Sequence, residues 1–591
     1  MERRQHALVN AVAVSSLLSQ VHPAESVRSA AEKGEREAQR LLTELGLDRD
    51  LYDVLAALDP SGLDEGAQRV LRLSLRDFRR AGVDQDESLR ARIRELSERE
   101  TEVAQEFSRN IRDDVRTVHL RPEQLEGLPA DYVDAHAVGE DAKVVITTDY
   151  PDYLPFITFA RDRFARRELL EAFLNRAWPA NDALLKELLR LRDEHAKILG
   201  YADWPSYDVE VKMIKQGPAI LEFIDRITAA AEESARRDYD MLLDRLRADV
   251  PDATSVDSTD KAYYAEVIRR ESFDVDAQEV REYFDFSKVR AGLLGVTGRL
   301  FDVEYVPVPD APTWHEEVAT YDVLADGSLL GRIHLDLHPR EGKYKHAAQF
   351  DLVPGIQGRQ LPEGVLVCNF PRGLMEHNDV VTLFHEFGHL VHLVHHVLAG
   401  RLAWARFSGV ATEWDFIEAP SQMLEEWAWD GDILQSFATN AAGEPIPGQL
   451  VAKMRAANEF GKGCHARTQM FYAALSYQAH GQVPDDTTAM VRDLQAKYDL
   501  FAYVPDTHFQ AAFGHLQGYT SGYYTYMWSL VIAKDLFSTF DADNLFDTEV
   551  AHRYRDRILA AGGSKDAADL VEDFLGRPYS FEAFEAWLNR S

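Results

Sequence analysis

The amino-acid sequence predicts a mainly α protein with a small β-sheet just ahead of its most chemically distinctive helix. Three observations predict it. Apolar residues recur at helical spacing over most of the 591 residues. Alternating, β-branched segments gather in one short region, between about 318 and 370. No repeat of about 20–50 residues and no low-complexity linker interrupts the pattern.

The elements follow in order. Arg3 and Arg4 precede the apolar run Ala7 to Val14, a superficial likeness to a secretion signal. Asn10, Ser15, Ser16, Ser19 and Gln20 dilute that run, and no small-x-small site closes it. A helix, a turn at His22-Pro23 and a second helix are expected instead. Residues 1 to about 125 read as helices. Leu71, Leu75 and Phe78 mark one apolar face, and the charged run Glu87 to Glu106 offers i,i+4 pairs such as Glu95 with Arg99. Residues 142–149 make a short strand candidate. Helical spacing resumes from Pro155 to Met213, where Leu184, Leu188 and Leu191 share a face, and continues to about 300. Val318 to Leu324, the turn Asp326-Gly327 and Leu329 to Leu337 read as a hairpin, and Val365 to Phe370 as another strand. Beyond 378 the chain is helical again, apart from a Gly/Tyr-rich loop near 514–526.

Composition narrows the function. Asp and Glu total 99 against 65 Lys and Arg, a formal net charge of −34. That balance disfavours nucleic acid and anionic membrane as partners. No stretch approaches the roughly 20 apolar residues that a membrane span needs. Cys368 and Cys464 are the two cysteines. They supply no disulfide framework and too few thiolates for a cysteine-built zinc site. Two inert buried thiols and a cytoplasmic location are expected.

The chemistry concentrates in His385-Glu386-Phe387-Gly388-His389. Histidines four apart on a helix lie one turn apart on one face, so both rings can converge on one zinc ion. Glu386 follows the first histidine and can reach toward water at the metal as general base. Asn378 or Asp379 suits the helix N-cap, and Val380, Val381, Leu383 and Phe384 give the helix an apolar side. Gly388 costs about 1 kcal/mol of helix propensity relative to Ala, which points to close packing there. His392 lies on the same face as His385 but about 10 Å along the axis, too far to share its ion. It reads as a packing or supporting residue, and His395 and His396 as exposed. A third ligand must come from elsewhere. In Asp415-Phe416-Ile417-Glu418-Ala419-Pro420-Ser421-Gln422, Pro420 fits the first turn of a new helix and puts Glu418 at its entrance. Gln422 and Glu425 follow on later turns and could accept a hydrogen bond from a ligand histidine. For Glu425 alone a solvated helix face is the simpler reading.

These segments resemble the thimet oligopeptidase family, which includes neurolysin, oligopeptidase A and dipeptidyl carboxypeptidase. The resemblance is carried by Phe384 to His389, Phe407-Ser408-Gly409 and Asp415 to Gln422. Leu335 to Tyr344, Tyr283-Phe284 with Lys288-Val289, and Leu199-Gly200-Tyr201 with Lys212-Met213 also match, and weaker likeness reaches both ends. The resemblance implies zinc ligands His385, His389 and Glu418, with Glu386 as the base. It also assigns His515, Tyr523 and Tyr526, in His515-Leu516-Gln517-Gly518-Tyr519-Thr520-Ser521-Gly522-Tyr523-Tyr524-Thr525-Tyr526, to substrate binding and oxyanion stabilisation. A phenol suits that task, since it donates a hydrogen bond without adding net charge. Gly514, Gly518 and Gly522 would let the loop bend. The stretch from His389 to Ser408 is about one helical turn longer than usual for the family, and the loop after His515 has one glycine fewer.

The resemblance implies a two-lobed helical metallopeptidase with a deep central channel and a small β-sheet near the active site. Residues 1–150 are expected to form a mostly helical N-terminal lobe and 151–591 the catalytic zinc-peptidase region, with lobes discontinuous in sequence. The expected activity is hydrolysis of peptide bonds in short peptides, with one zinc ion per chain. The favoured assembly is a monomer. Two other classes remain: a catalytically silent peptide-binding protein of the same fold, and a zinc hydrolase of non-peptide amides.

Overall fold

The computed structural model describes residues 2–344, 347–399, 402–409 and 411–590, and side chains outside 2–6 and 390–399. The chain is mostly helical with two small sheets. It divides into two compact units, each assembled from separated stretches of sequence.

One unit comprises residues 91–276, 453–527 and 585–591. Its strands β1 (Thr117–Leu120) and β2 (Val144–Thr147) pair antiparallel, with Val118, Leu120, Val144 and Ile146 turned inward. They pack with Phe156, Leu169 and Leu170 of the following helices. β2 falls inside the expected strand at 142–149. Its partner β1 follows the charged helix Glu87–Asp113 directly and is too short to carry a clear alternation. Along that helix Arg90 pairs with Glu87, Arg92 with Glu95 and Arg99 with Glu102, each three apart. Arg99 also reaches Glu187 of the helix Ala180–Ile198, and exposed pairs of this kind add little stability. The buried face of Ala180–Ile198 runs through Leu185, Leu188, Leu189, Arg192, His195 and Ala196. It is rotated from the expected Leu184–Leu188–Leu191 line and carries an arginine inward. The helix Lys462–Gly481 is buried nearly all round. A Cβ on its Gly463 would stand 2.3 Å from the Ala235 backbone nitrogen, so glycine permits the crossing with Glu232–Asp249.

The other unit comprises residues 1–90, 277–452 and 528–584. It opens with the expected helix pair Glu2–Val21 and Glu25–Gly46. Leu17 and Val21 of the first helix pack on Val365 and Val367. The sheet has five strands: β3 (Glu304–Pro307), β4 (Ala319–Ala325), β5 (Ser328–Asp336), β6 (Ala348–Val353) and β7 (Glu363–Val367), in the order β3-β4-β5-β7-β6. β4 and β5 form the expected hairpin, and Asp326 and Gly327 both take the positive φ that a tight two-residue turn demands. β5 and β7 pair in parallel, and the other neighbours pair antiparallel.

The Leu335 to Tyr344 segment locks the end of the parallel pair. Lys343 Nζ, wholly buried, donates to the Asp336 and Cys368 carbonyls, to the His338 carbonyl and to Asp336 Oδ1. Arg340 grips the same carboxylate through two nitrogens. These bonds set the exit of β7, from which the chain enters the helix His377–Ala399. Both cysteines are free and buried, as expected. Among the described residues no helix is long and apolar enough to cross a membrane.

Candidate active site

The helix His377–Ala399 buries Val380, Leu383, Phe384 and Phe387. Its expected caps, Asn378 and Asp379, both lie inside the first turn. Asp379 Oδ2 instead accepts from the Glu376 N–H, as a residue three into a helix can. The apolar stripe turns His385, Glu386 and His389 to a partly open face. The side chains of His392, His395 and His396 lie outside the described residues.

Glu418 enters from the helix Glu418–Leu424, which carries Pro420 in its first turn. Gly388 lets the two helices meet: a Cβ there would lie 2.5 Å from Ser421 Cα. The approach to Glu418 is held further back by Ser529 Oγ, which donates to the buried Asp415 carbonyl. Glu418 Oε2 then stands 3.3 Å from His385 Nε2 and 3.0 Å from His389 Nε2, and the two nitrogens are 3.1 Å apart. Among the described residues, His385, His389 and Glu418 form a group whose atoms could hold one metal ion.

Glu425 is nearer the chemistry than a solvated helix face would be. Its Oε1 lies 2.7 Å from His385 Nδ1, so the outer nitrogen donates to the carboxylate and Nε2 is left facing the cradle. This residue was legible as an alternative, and the long separation of 40 positions hid which reading holds.

The electrostatics fit a site built for a cation. Burial opposes charge on His385, but Glu418 and Glu425 carry its pKa well above the ordinary value. Burial also opposes charge on Glu418, yet His389 and His385 hold its carboxyl well below the usual range. A cation here would displace a proton from the histidines. Burial raises the pKa of Glu386, whereas His389 and His385 oppose that rise.

His515, Tyr523 and Tyr526 belong to the other unit and cluster with one another. The His515 ring centre is 5.0 Å from Tyr523 and 6.0 Å from Tyr526, and the two tyrosines are 5.2 Å apart. Tyr526 Oη lies 3.5 Å from His515 Nε2. Tyr523 Oη donates to Gln469 Oε1 at 3.1 Å, and burial pushes its phenol strongly up. The Tyr523 phenol therefore stays a protonated donor near neutral pH.

The helical chain thus brings two histidines and a glutamate into one small cradle that could hold a metal ion, with a second glutamate beside it. Comparison with known proteins sharpens this. A family profile described as peptidase family M3 matches residues 156–590. The thimet-like oligopeptidase of Dictyostelium discoideum is 29% identical over 597 residues, covering 95% of this chain and 88% of the relative. Oligopeptidase A of Escherichia coli (strain K12) is 30% identical over 559 residues, covering 88% of this chain and 81% of the relative. Among solved structures, that of PZ peptidase A with an inhibitor has a similar fold. Its TM-score is 0.61 at 13% identity, with 100% of this chain and 92% of that chain covered. The chain belongs to peptidase family M3 and is a peptidase.

Proposed function

We propose that the protein is a zinc-dependent oligopeptidase that cleaves short peptides, with His385, His389 and Glu418 as ligands and Glu386 as general base. The observation that carries the proposal is the donor triangle. Tetrahedral zinc, with ligand distances of about 2.0–2.1 Å, spaces its donors about 3.3–3.4 Å apart. The three atoms here are already 3.0, 3.1 and 3.3 Å apart. Two imidazoles and a carboxylate also match the donor types of a catalytic zinc site with a position left open.

Zinc, when bound, polarises a carbonyl and makes water acidic enough to attack at neutral pH. The chain's own residues do the rest. Glu425 fixes the His385 tautomer. Glu386 accepts a proton from the attacking water on one carboxylate oxygen and delivers it to the leaving amine nitrogen. Tyr523 and Tyr526, with His515, bind substrate and donate hydrogen bonds to the oxygen that gains charge. That role rests on the family likeness and on two phenols gathered with an imidazole. The limit to short peptides rests on the family likeness, and the cytoplasmic location on the two free buried thiols.

His389→Ala tests the ligand set. The variant is expected to lose bound zinc and peptidase activity together. Full zinc content in that variant would remove His389 from the site.

A further inference from the structure

The glycines of the Gly/Tyr-rich loop are expected to let it bend when substrate arrives. Its neighbours add points at which it is held. Two charged side chains remote in sequence, Arg192 buried and Asp208 partly buried, grip it along its length.

The first grip is Asp208, in the helix Trp204–Val209. Its Oδ2 accepts from Thr520 Oγ1 at 2.7 Å and from Ser521 Oγ at 2.6 Å. Its Oδ1 pairs with Lys212 Nζ at 2.9 Å, and both side chains are nearly enclosed. Burial would raise the Asp208 carboxyl, but Lys212 and the two hydroxyls bring it below the ordinary value, so the charge is kept. Gly522 belongs to the same arrangement. A Cβ there would stand 2.9 Å from Lys212 Nζ, so this glycine serves close approach to the ion pair.

The second grip is Arg192. It donates to the Leu516 carbonyl at 2.8 Å and to the Gln517 carbonyl at 2.6 Å, at the end of the short helix His515–Gly518. It also donates to His480 Nε2 at 2.7 Å. Burial and the Arg192 charge push His480 down to about 3, so the ring is neutral and its Nδ1–H donates to the Ser476 carbonyl. Ser476 Oγ in turn donates to the Thr520 carbonyl and accepts from the Tyr523 N–H.

These contacts hold the stretch that runs from His515 to Tyr523. Thr520 is held with φ at +53°, a conformation that costs a threonine energy unless its surroundings impose it. We propose that Asp208 and Arg192 are positioning residues for the peptidase reaction, holding the loop so that His515, Tyr523 and Tyr526 present a fixed face to substrate. The inference rests on the proposed role of those three residues. It extends the working site to side chains that do not touch substrate.

Removing one grip should cost turnover through misplacement, which reaches about 10²-fold for a shift near 1 Å. Two variants test this from opposite ends of the same bond: Asp208→Asn, and Thr520→Ala with Ser521→Ala. The second changes only loop side chains and leaves the buried pair intact. Each is assayed on one peptide for kcat and KM, for zinc content, and for amide hydrogen exchange across residues 514–526. Tyr523→Phe and Tyr526→Phe are assayed beside them. The expected result is exchange at least about tenfold faster in that segment, with kcat down about 10- to 100-fold, KM within about threefold and zinc unchanged. Unchanged exchange in both variants would overturn the gripping role. Faster exchange with wild-type kcat, while the phenylalanine variants are impaired, would overturn the positioning role alone. Wild-type kcat in the phenylalanine variants as well would instead remove the tyrosines from the reaction, and this inference with them.

Discussion

At the scale of single residues, the proposal gives Glu386 and Glu425 different work around His385. Glu386 shares the ligand helix but is not one of the three converging groups. Its carboxylate is available to move a proton. Glu386→Gln keeps the shape and removes the basicity. Zinc content should be unchanged while kcat falls by at least about 10²-fold, the scale of a lost general base. Near-normal turnover by a zinc-replete variant would end that assignment. Glu425 Oε1 reaches the far nitrogen of His385, at 2.7 Å. Its substitution by Gln should weaken zinc affinity about 10- to 100-fold, as for other supporting carboxylates. Competition with a chromophoric chelator measures this, and wild-type affinity would mean that the hydrogen bond is incidental.

Among the elements, the meeting of His377–Ala399 with Glu418–Leu424 decides whether the ligands converge. Gly388 is where they touch, and the atom facing it is backbone, Ser421 Cα at 2.5 Å from a would-be Cβ. Backbone cannot rotate aside. Gly388→Ala should therefore push the second helix outward, lower stability by about 1–3 kcal/mol as overpacking does, and weaken zinc retention. Denaturant unfolding and zinc content would show both effects. A variant as stable and as zinc-bound as the parent would show that the helices can separate without cost. The same region shows what sequence can carry. His385 and His389 are readable because their relation is local, four residues on one helix. Glu418 becomes readable through Pro420, which marks a helix start, and through the family likeness. Glu425 needs the packing of two helices 40 residues apart. β3 and β6 escape a sequence reading because they are short and take their strand form from neighbours in the sheet. The hairpin β4–β5 announces itself through Asp326-Gly327.

For the whole molecule, the two units are each stitched from distant stretches of chain, which composition alone gives no means of seeing. Charged residues such as the buried Arg192 and the partly buried Asp208 look like ordinary solvated positions until their partners more than 300 residues away are known. The mainly helical class and the small sheet, by contrast, follow from periodicity that runs through the chain. What joins the fold to the proposed activity is the group of His385, His389 and Glu418. The direct test is to strip the protein of metal with a chelator and titrate zinc back while following peptide cleavage. Activity should vanish on stripping, return in proportion to added zinc and level off at one equivalent per chain. Full cleavage by the stripped protein, or a return that needs a different stoichiometry, would contradict the account.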